Sequence, residues 1–185
     1  ALGLTKFLRE RNVEFVVTSE SGAEFSFEQE LPNADVVISQ PFWPAYLTAE
    51  RFDKAKKLKL AITAGIGSDH VDLNAANEHN VTVAEVTYCN SISVAEHAVM
   101  QVLALVRNYL PSHDWVRKGG WNIADCVSRA YDLEGMTVGV VGAGRIGRAV
   151  LERLKPFGVK LAYNQLHPLP AVYARNLGAT YYPDV

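Results

Sequence analysis

The chain has 185 residues, of which 49% are hydrophobic, so it carries enough apolar surface to bury a substantial core. Its net charge of −2 at pH 7 gives no electrostatic reason to expect binding to nucleic acid or to an anionic membrane. We find no pattern of a secretory signal or of a membrane-spanning helix. The cysteines, Cys89 and Cys126, form no C-x-x-C pair and indicate no disulfide framework. These features predict a cytoplasmic globular protein.

Both ends of the sequence lie within predicted elements. The chain starts at Ala1, inside a helical pattern that includes Leu4, Phe7 and Leu8. It stops shortly after residues 180–182, which look like the start of a strand. A dinucleotide-binding sheet needs more strands than the sequence provides after its glycine motif, so we expect a fragment of a longer protein.

Strand and helix patterns alternate through the first half of the chain. The predicted strands cover residues 14–18, 35–39, 58–63 and 81–83. One predicted helix is capped by Thr48 and has a charged face over residues 51–57, and a second covers residues 73–79. Alternation of this kind favours a parallel sheet with crossover helices.

A long helix is predicted next. Apolar residues recur at helical spacing from Val94, and Glu96 stands three residues after Ser93 as in a capping box. The pattern predicts a helix that ends near Tyr109, before Pro111, followed by an irregular connection that includes residues 118–122. We place a domain boundary near the start of this helix, which predicts domains at residues 1–90 and 91–185.

The motif G-x-G-x-x-G follows the predicted strand at 137–141 and opens an apolar-periodic segment. Gly142 permits the sharp turn, Gly144 allows the backbone to approach a pyrophosphate, and Gly147 allows close packing of helix on strand. A phosphate group would lie at the helix N-terminus, where free N–H groups point at it. The pattern favours dinucleotide binding, and the alternative is a glycine turn in an α/β domain.

Several segments carry a resemblance to a known family. The segments similar to the D-2-hydroxyacid dehydrogenase superfamily are 64–72 (AGIGSDHVD), 83–86 (VAEV) and 90–97 (NSISVAEH). Those that resemble the NAD-dependent formate dehydrogenases are 41–46 (PFWPAY), 87–91 (TYCNS), 108–113 (NYLPSH) and 119–122 (GGWN). One departure is Trp43, where the commoner version of that loop has a histidine.

The resemblance implies a Rossmann-type doubly wound parallel sheet and a flavodoxin-like α/β substrate domain, both incomplete in this chain. It implies a homodimer that oxidises formate to CO₂ without a metal, by direct hydride transfer to NAD(P)+. The Asn90 side chain and the Ile66 backbone N–H would bind formate, while Pro41 and Phe42 would form an apolar wall. The catalytic arginine and histidine are expected beyond Val185.

The predicted cofactor-binding residues lie around the glycine motif and at the end of the next strand. Besides the three glycines they are Ser91, Arg145, Ile146, Gln165 and His167. Gln165 occupies the position where NAD-specific members of the family carry aspartate. A neutral amide does not repel a 2′-phosphate, and His167 supplies a positive charge when protonated, so we expect NAD or NADP, with NADP tolerated or modestly preferred.

Other interpretations remain open from the residues alone. Asn90 could be a turn or helix-start residue, and Ile66 could be part of the core. His70, Asp69 and Asp72 resemble a metal cluster only superficially and are expected to be solvated or capping groups. Cys89 is either chemically sensitive or a small buried apolar residue. The alternative functions are a D-2-hydroxyacid dehydrogenase for a larger acid and a non-catalytic, nucleotide-sensing relative.

Overall fold

The computed structural model describes residues 3–18, 26–39 and 46–184. These residues divide into two compact units, the first ending at Thr87 and the second beginning at Tyr88. Each unit contains its own parallel sheet and its own hydrophobic core, which confirms the predicted α/β class. Among the residues that the structure describes, no helix is both long and apolar enough to cross a membrane.

The first unit is built on a three-stranded parallel sheet in the order β1-β2-β3. Its elements are α1 (Leu4–Arg9), α2 (Ser26–Glu30), a 3-10 turn (Leu31–Asn33), β1 (Val36–Ser39), α3 (Ala49–Lys54), β2 (Leu60–Thr63), α4 (Leu73–Glu78) and β3 (Thr82–Glu85). Strand residues alternate between faces, so Val37 and Ala61 are buried under the helices. The core also contains Leu31, Leu47, Phe52 and Ala76.

The second unit has the parallel order β4-β5-β6. Its elements are α5 (Ser91–Val106), α6 (Tyr109–Arg117), α7 (Ile123–Ser128), β4 (Thr137–Val141), α8 (Arg145–Leu154), a 3-10 turn (Lys155–Phe157), β5 (Lys160–Asn164), α9 (Ala171–Leu177) and β6 (Ala179–Tyr181). Apolar side chains of α5 and α8, among them Ala95, Val99, Val150 and Leu151, belong to one buried cluster with Leu161 of β5. Helix α5 thereby fixes the position of α8 and of the glycine loop that precedes it.

The predicted strand at 14–18 is wrong, because these residues form no regular element and pair with no strand of the described sheet. Val16 and Val17 are exposed instead. A β-branched run has only a preference for strand, which is realised when a neighbouring strand and a buried face are present. The strands predicted at 35–39, 58–63 and 81–83 are confirmed as β1, β2 and β3.

The long helix begins earlier and ends earlier than its pattern predicts. Asn90 stands at the N-cap position of α5, without a side-chain capping bond, so Ser93 lies inside the first turn and the predicted capping box is wrong. The helix stops before Asn108, whose φ of 51° is left-handed and breaks the helical path. Pro111 then falls in the first turn of α6, where a missing N–H costs no hydrogen bond.

The predicted charged face over residues 51–57 needs a similar correction. Helix α3 ends at Lys54, and Arg51 is only 8% exposed. The Arg51 guanidinium bonds to the carboxylate of Glu28 (Nε to Oε1, 2.6 Å) and to the backbone carbonyl of Tyr46. A buried arginine needs such partners because an unpaired buried charge is costly.

Candidate functional site

The glycine motif forms the loop between β4 and α8. Gly142 has a φ of 94°, a conformation that residues with a side chain rarely adopt. A Cβ atom at Gly147 would overlap the carbonyl oxygen of Gly142, so only glycine lets the helix pack this closely on the strand end. A Cβ at Gly144 would meet no atom within 4 Å, which leaves the loop backbone open to a ligand at that point.

The N-terminus of α8 carries positive charge that is not paired with an acidic residue of the described structure. Arg145 is its first residue and Arg148 follows one turn later, while the first turn contains no acidic residue. No carboxylate in the described part of the chain forms an ion pair with Arg145, whose guanidinium carbon lies 4.0 Å from the ring centroid of Tyr88. Because the helix dipole already disfavours a cation here, the arrangement suits an anionic ligand.

The end of β5 lies directly beside this loop. Val141 of β4 pairs with Asn164 of β5, and the amide N–H of Gly142 donates to the Asn164 carbonyl at 2.9 Å. Gln165 therefore comes next to the glycine loop, and its side-chain amide donates to the backbone carbonyl of His167 at 3.1 Å. His167 is exposed at the same edge.

Asn90 and Ser91 stand at the start of α5, which packs against α8. The Asn90 side chain makes no capping hydrogen bond and is exposed, so its amide is open to solvent. The Ser91 hydroxyl is buried and has no hydrogen-bond partner among the described residues. Since that oxygen is closed to solvent, the hydroxyl is not open to a ligand in this conformation.

Ile66 lies in the first unit, in the bend that follows β2. Its backbone N–H makes no hydrogen bond to any residue that the structure describes. Gly67, with a φ of 95°, turns the chain immediately after it. The side chain is half-buried, so Ile66 combines a free backbone donor with an apolar group that limits access of water.

The polar residues of the 64–72 segment are not a metal site in the described structure. Asp72 caps α4 by accepting a hydrogen bond from the amide of Ala75 at 3.0 Å. His70 is 5% exposed, and its Nε2 lies 2.9 Å from the Ser39 hydroxyl. The prediction that His70 is solvated is therefore wrong. Within residues 3–18, 26–39 and 46–184, no group of three His, Cys, Asp or Glu side chains could hold a metal ion.

The buried position of His70 also determines its protonation. Burial lowers the pKa of the imidazole below its usual value of 6.5, and the nearby carboxylate of Asp69 opposes this only in part. The ring is therefore neutral at physiological pH. Its Nδ1 and the hydroxyl of Thr63 are both buried without a hydrogen-bond partner in the described structure.

Two predicted substrate residues, Pro41 and Phe42, lie outside the described residues, as does Trp43. Cys89 is exposed, so its interpretation as a small buried residue is wrong. The second unit brings together most of the predicted cofactor residues, namely the three glycines, Arg145, Ile146 and Gln165, at one end of its sheet. Sequence reasoning missed Tyr88, because no local pattern connects it with Arg145.

The fold and the glycine loop are typical of nucleotide-binding α/β proteins, and comparison with known proteins identifies the family. Residues 3–180 match the model of the D-isomer specific 2-hydroxyacid dehydrogenase catalytic domain. The chain belongs to this family.

Several relatives are formate dehydrogenases. The chain is 67% identical over 182 residues to formate dehydrogenase of Pseudomonas sp. (strain 101), a match that covers 98% of the chain and 45% of the relative. It is 50% identical to mitochondrial formate dehydrogenase of Solanum tuberosum, and this match covers 100% of the chain and 49% of that protein. The chain thus spans about half the length of the curated relatives it matches.

Solved structures of formate dehydrogenases are also similar to this chain. The structure of a formate dehydrogenase from Granulicella M. has a TM-score of 0.91 and 66% identity, with 99% of this chain and 49% of that one covered. The NAD complex of NAD-dependent formate dehydrogenase from Staphylococcus aureus has a TM-score of 0.82 and 47% identity. The match covers 97% of this chain and 53% of that one.

Proposed function

We propose that the full-length protein is a metal-independent formate dehydrogenase that uses NAD or NADP. The strongest support is the 67% identity to a formate dehydrogenase over 98% of the chain. The described residues are consistent with it, because the Asn90 amide and the Ile66 N–H are both unused donors. A small carboxylate such as formate needs a few such donors in a site from which water is excluded.

The residues around the glycine loop fit a dinucleotide. The open backbone at Gly144 and the free N–H groups of α8 would hold the pyrophosphate, and Arg145 would neutralise part of its charge. Gln165 at the end of β5 would meet the adenine ribose, as the corresponding strand end does in this fold. The bound nicotinamide would supply the acceptor for the hydride that formate loses.

The family resemblance assigns substrate positioning to Asn90 and Ile66. The Asn90 side-chain amide donates a hydrogen bond to one formate oxygen, and the backbone N–H of Ile66 donates another. Pro41 and Phe42 form the apolar wall, which strengthens these bonds by keeping water out. An arginine and a histidine outside residues 1–185 complete the site, as the family resemblance implies. In this proposal Asn90 and Ile66 contribute binding and orientation of the substrate.

The cofactor preference follows from the chemistry of Gln165. An aspartate at this position would hydrogen-bond the ribose hydroxyls and repel a 2′-phosphate, whereas the amide of Gln165 does not repel it. One amide N–H already donates to His167, which leaves its other N–H and its oxygen for the cofactor. The residue that follows Gln165 is the exposed Leu166 rather than an arginine that could pair with a 2′-phosphate. The protein accepts NADP, with a modest preference over NAD.

A homodimer accounts for the apolar surface of the second unit. Leu105 and Trp121 are each 77% exposed, and further large apolar side chains are exposed between them and just beyond. These are Tyr109, Leu110, Trp115, Val116, Ile123 and Val127. Apolar surface of this extent on a soluble protein usually marks an interface, and a two-fold dimer buries the same patch on both copies.

A substrate panel separates the proposal from its alternatives. The full-length protein is assayed with formate, D-glycerate and D-lactate, each with NAD and with NADP. Formate-dependent reduction of the cofactor is expected, without turnover of the larger acids. Turnover of D-glycerate or D-lactate alone would favour a D-2-hydroxyacid dehydrogenase. Cofactor binding without turnover of any acid would favour the nucleotide-sensing relative.

A further inference from the structure

Tyr88 has a backbone conformation that is unusual for an aromatic residue. Its φ of 68° lies in the left-handed region, where a bulky side chain is disfavoured. The side chain is 63% exposed, so packing in a core does not hold it there. Residues in such strained conformations persist where their surroundings hold them, and they cluster at functional sites.

The contact that the Tyr88 ring makes is with a cation. The guanidinium carbon of Arg145 lies 4.0 Å from the ring centroid, within the range of a cation–π interaction. The two residues are far apart in sequence and meet because α5, just after Tyr88, packs against α8. In the described structure no carboxylate pairs with Arg145, and its guanidinium contacts the aromatic face instead.

The contact has a consequence for an anion at the N-terminus of α8. Arg145 is the first residue of that helix, where the dipole disfavours its charge, and its long side chain would otherwise sample many rotamers. Holding the guanidinium against a ring reduces the entropy that ligand binding must remove. The guanidinium lies over the face of the ring, and its N–H groups make no hydrogen bond to a described residue, so they are available for phosphate oxygens.

We infer that Tyr88 is a positioning residue whose ring holds the Arg145 guanidinium at the N-terminus of α8, ready for the phosphates of a dinucleotide. The inference rests on the proposed function, since it assumes that a dinucleotide binds at the glycine loop. Tyr88 acts through the face of its ring, and its hydroxyl is not required.

Binding measurements on the full-length protein test this role. Dissociation constants for NADH and NADPH are measured by nucleotide fluorescence, and those for ADP-ribose by competition. Tyr88→Leu is expected to weaken all three by about 2- to 5-fold, the loss of one exposed cation–π contact. Tyr88→Phe, the matched control, keeps the ring and is expected to match the unmodified protein within about 1.5-fold. An unchanged ADP-ribose affinity in Tyr88→Leu would overturn the inference, because it would mean that Tyr88 acts on the nicotinamide.

A double-mutant cycle separates positioning from a structural role. In the Arg145→Ala background, Tyr88→Leu is expected to have no further effect, because the group that Tyr88 positions is gone. Tyr88→Gly is expected to raise Tm by relieving the left-handed strain and yet to weaken binding as Tyr88→Leu does. A Tyr88→Leu effect that persists without Arg145, or affinity that follows Tm, would overturn the inference. If the unmodified protein bound neither NADH nor NADPH, the proposed function itself would fail.

Discussion

The backbone N–H of Gly142 donates a hydrogen bond to the carbonyl oxygen of Asn164, with 2.9 Å between the two atoms. This bond joins the glycine loop to the end of β5 through main-chain atoms alone. Gln165, the next residue, is therefore held beside the loop whatever its side chain is. A substitution at position 165 should change recognition of the cofactor without moving the loop.

The first prediction concerns cofactor preference. Gln165→Asp should shift the ratio of kcat/KM for NADP to that for NAD by about tenfold or more towards NAD, because like charges then oppose the 2′-phosphate. Gln165→Asn is the matched control, since asparagine has the size of aspartate without its charge, and it should leave NADP accepted. Steady-state kinetics with both cofactors give the ratios. A strong NAD preference in the unmodified protein would show that Gln165 does not set the specificity.

The second prediction contrasts two glycines of the same loop. Gly147→Ala should lower the free energy of unfolding by about 1–3 kcal/mol, because its methyl group overlaps the Gly142 carbonyl. Gly144→Ala should leave stability within about 0.5 kcal/mol, since its methyl group meets no neighbour, but should weaken NADH binding by about tenfold. Urea titrations and fluorescence binding measure the two effects. Equal losses of stability at both positions would contradict the described loop geometry.

The third prediction concerns the ion pair of Glu28. Burial raises the pKa of this carboxyl, but the hydrogen bonds and charges of Arg51 and Lys54 outweigh that effect and bring the pKa below 4.5. Unfolded chains therefore bind a proton at this position before the folded protein does. The pair stabilises the fold fully above pH 4.5, and this contribution is lost as the pH falls through the lowered pKa.

Glu28→Gln should reduce the free energy of unfolding at pH 7 by about 1–3 kcal/mol, because it removes the charge that Glu28 presents to a buried guanidinium. The difference from the unmodified protein should shrink below pH 4.5. Glu30→Gln removes an exposed carboxylate of the same helix and serves as the control. Urea titrations at several pH values measure the difference, and a constant gap between pH 7 and pH 3 would refute the assignment.

The fourth prediction separates binding from stability at Asn90. Asn90→Ala should cost about 2–4 kcal/mol of transition-state stabilisation, or about 30- to 700-fold in kcat/KM for formate, by removing a charge-assisted hydrogen bond to the substrate. Tm should change little, because this side chain makes no capping bond. Asn122→Ala should do the reverse, since Asn122 caps α7 through a 3.0 Å bond to the Asp125 amide. Near-normal formate turnover in Asn90→Ala would reject the role of Asn90.

Features with a local pattern were predictable from the sequence. The strand, glycine loop and helix at 137–154 are confirmed, because the apolar run, the turn glycines and the helical period all lie within a few residues of one another. The ends of α5 were not predictable, because two overlapping cap patterns, at Asn90 and at Ser93, compete for its start. The strand at 14–18 was wrong because pairing depends on neighbours that its own residues do not specify.

Contacts between distant residues carry no such pattern. Glu28 and Arg51 pair across 23 positions, and each alone looks like an ordinary surface charge. Tyr88 meets Arg145 only because α5 and α8 pack together, and the sequence around Tyr88 indicates a turn. His70 looks like a loop residue beside two acidic groups, and only the fold reveals its burial against Ser39.

Deuterated formate provides the most direct test of the central claim, which is that the full-length protein transfers the hydrogen of formate to a nicotinamide cofactor. The protein is incubated with deuterated formate and NADP, and in parallel with NAD, and the reduced cofactor is analysed by mass spectrometry. The account predicts reduced cofactor that carries the deuterium, formed in equal amount to CO₂. Reduced cofactor without deuterium, or no formate-dependent reduction with either cofactor, would contradict it.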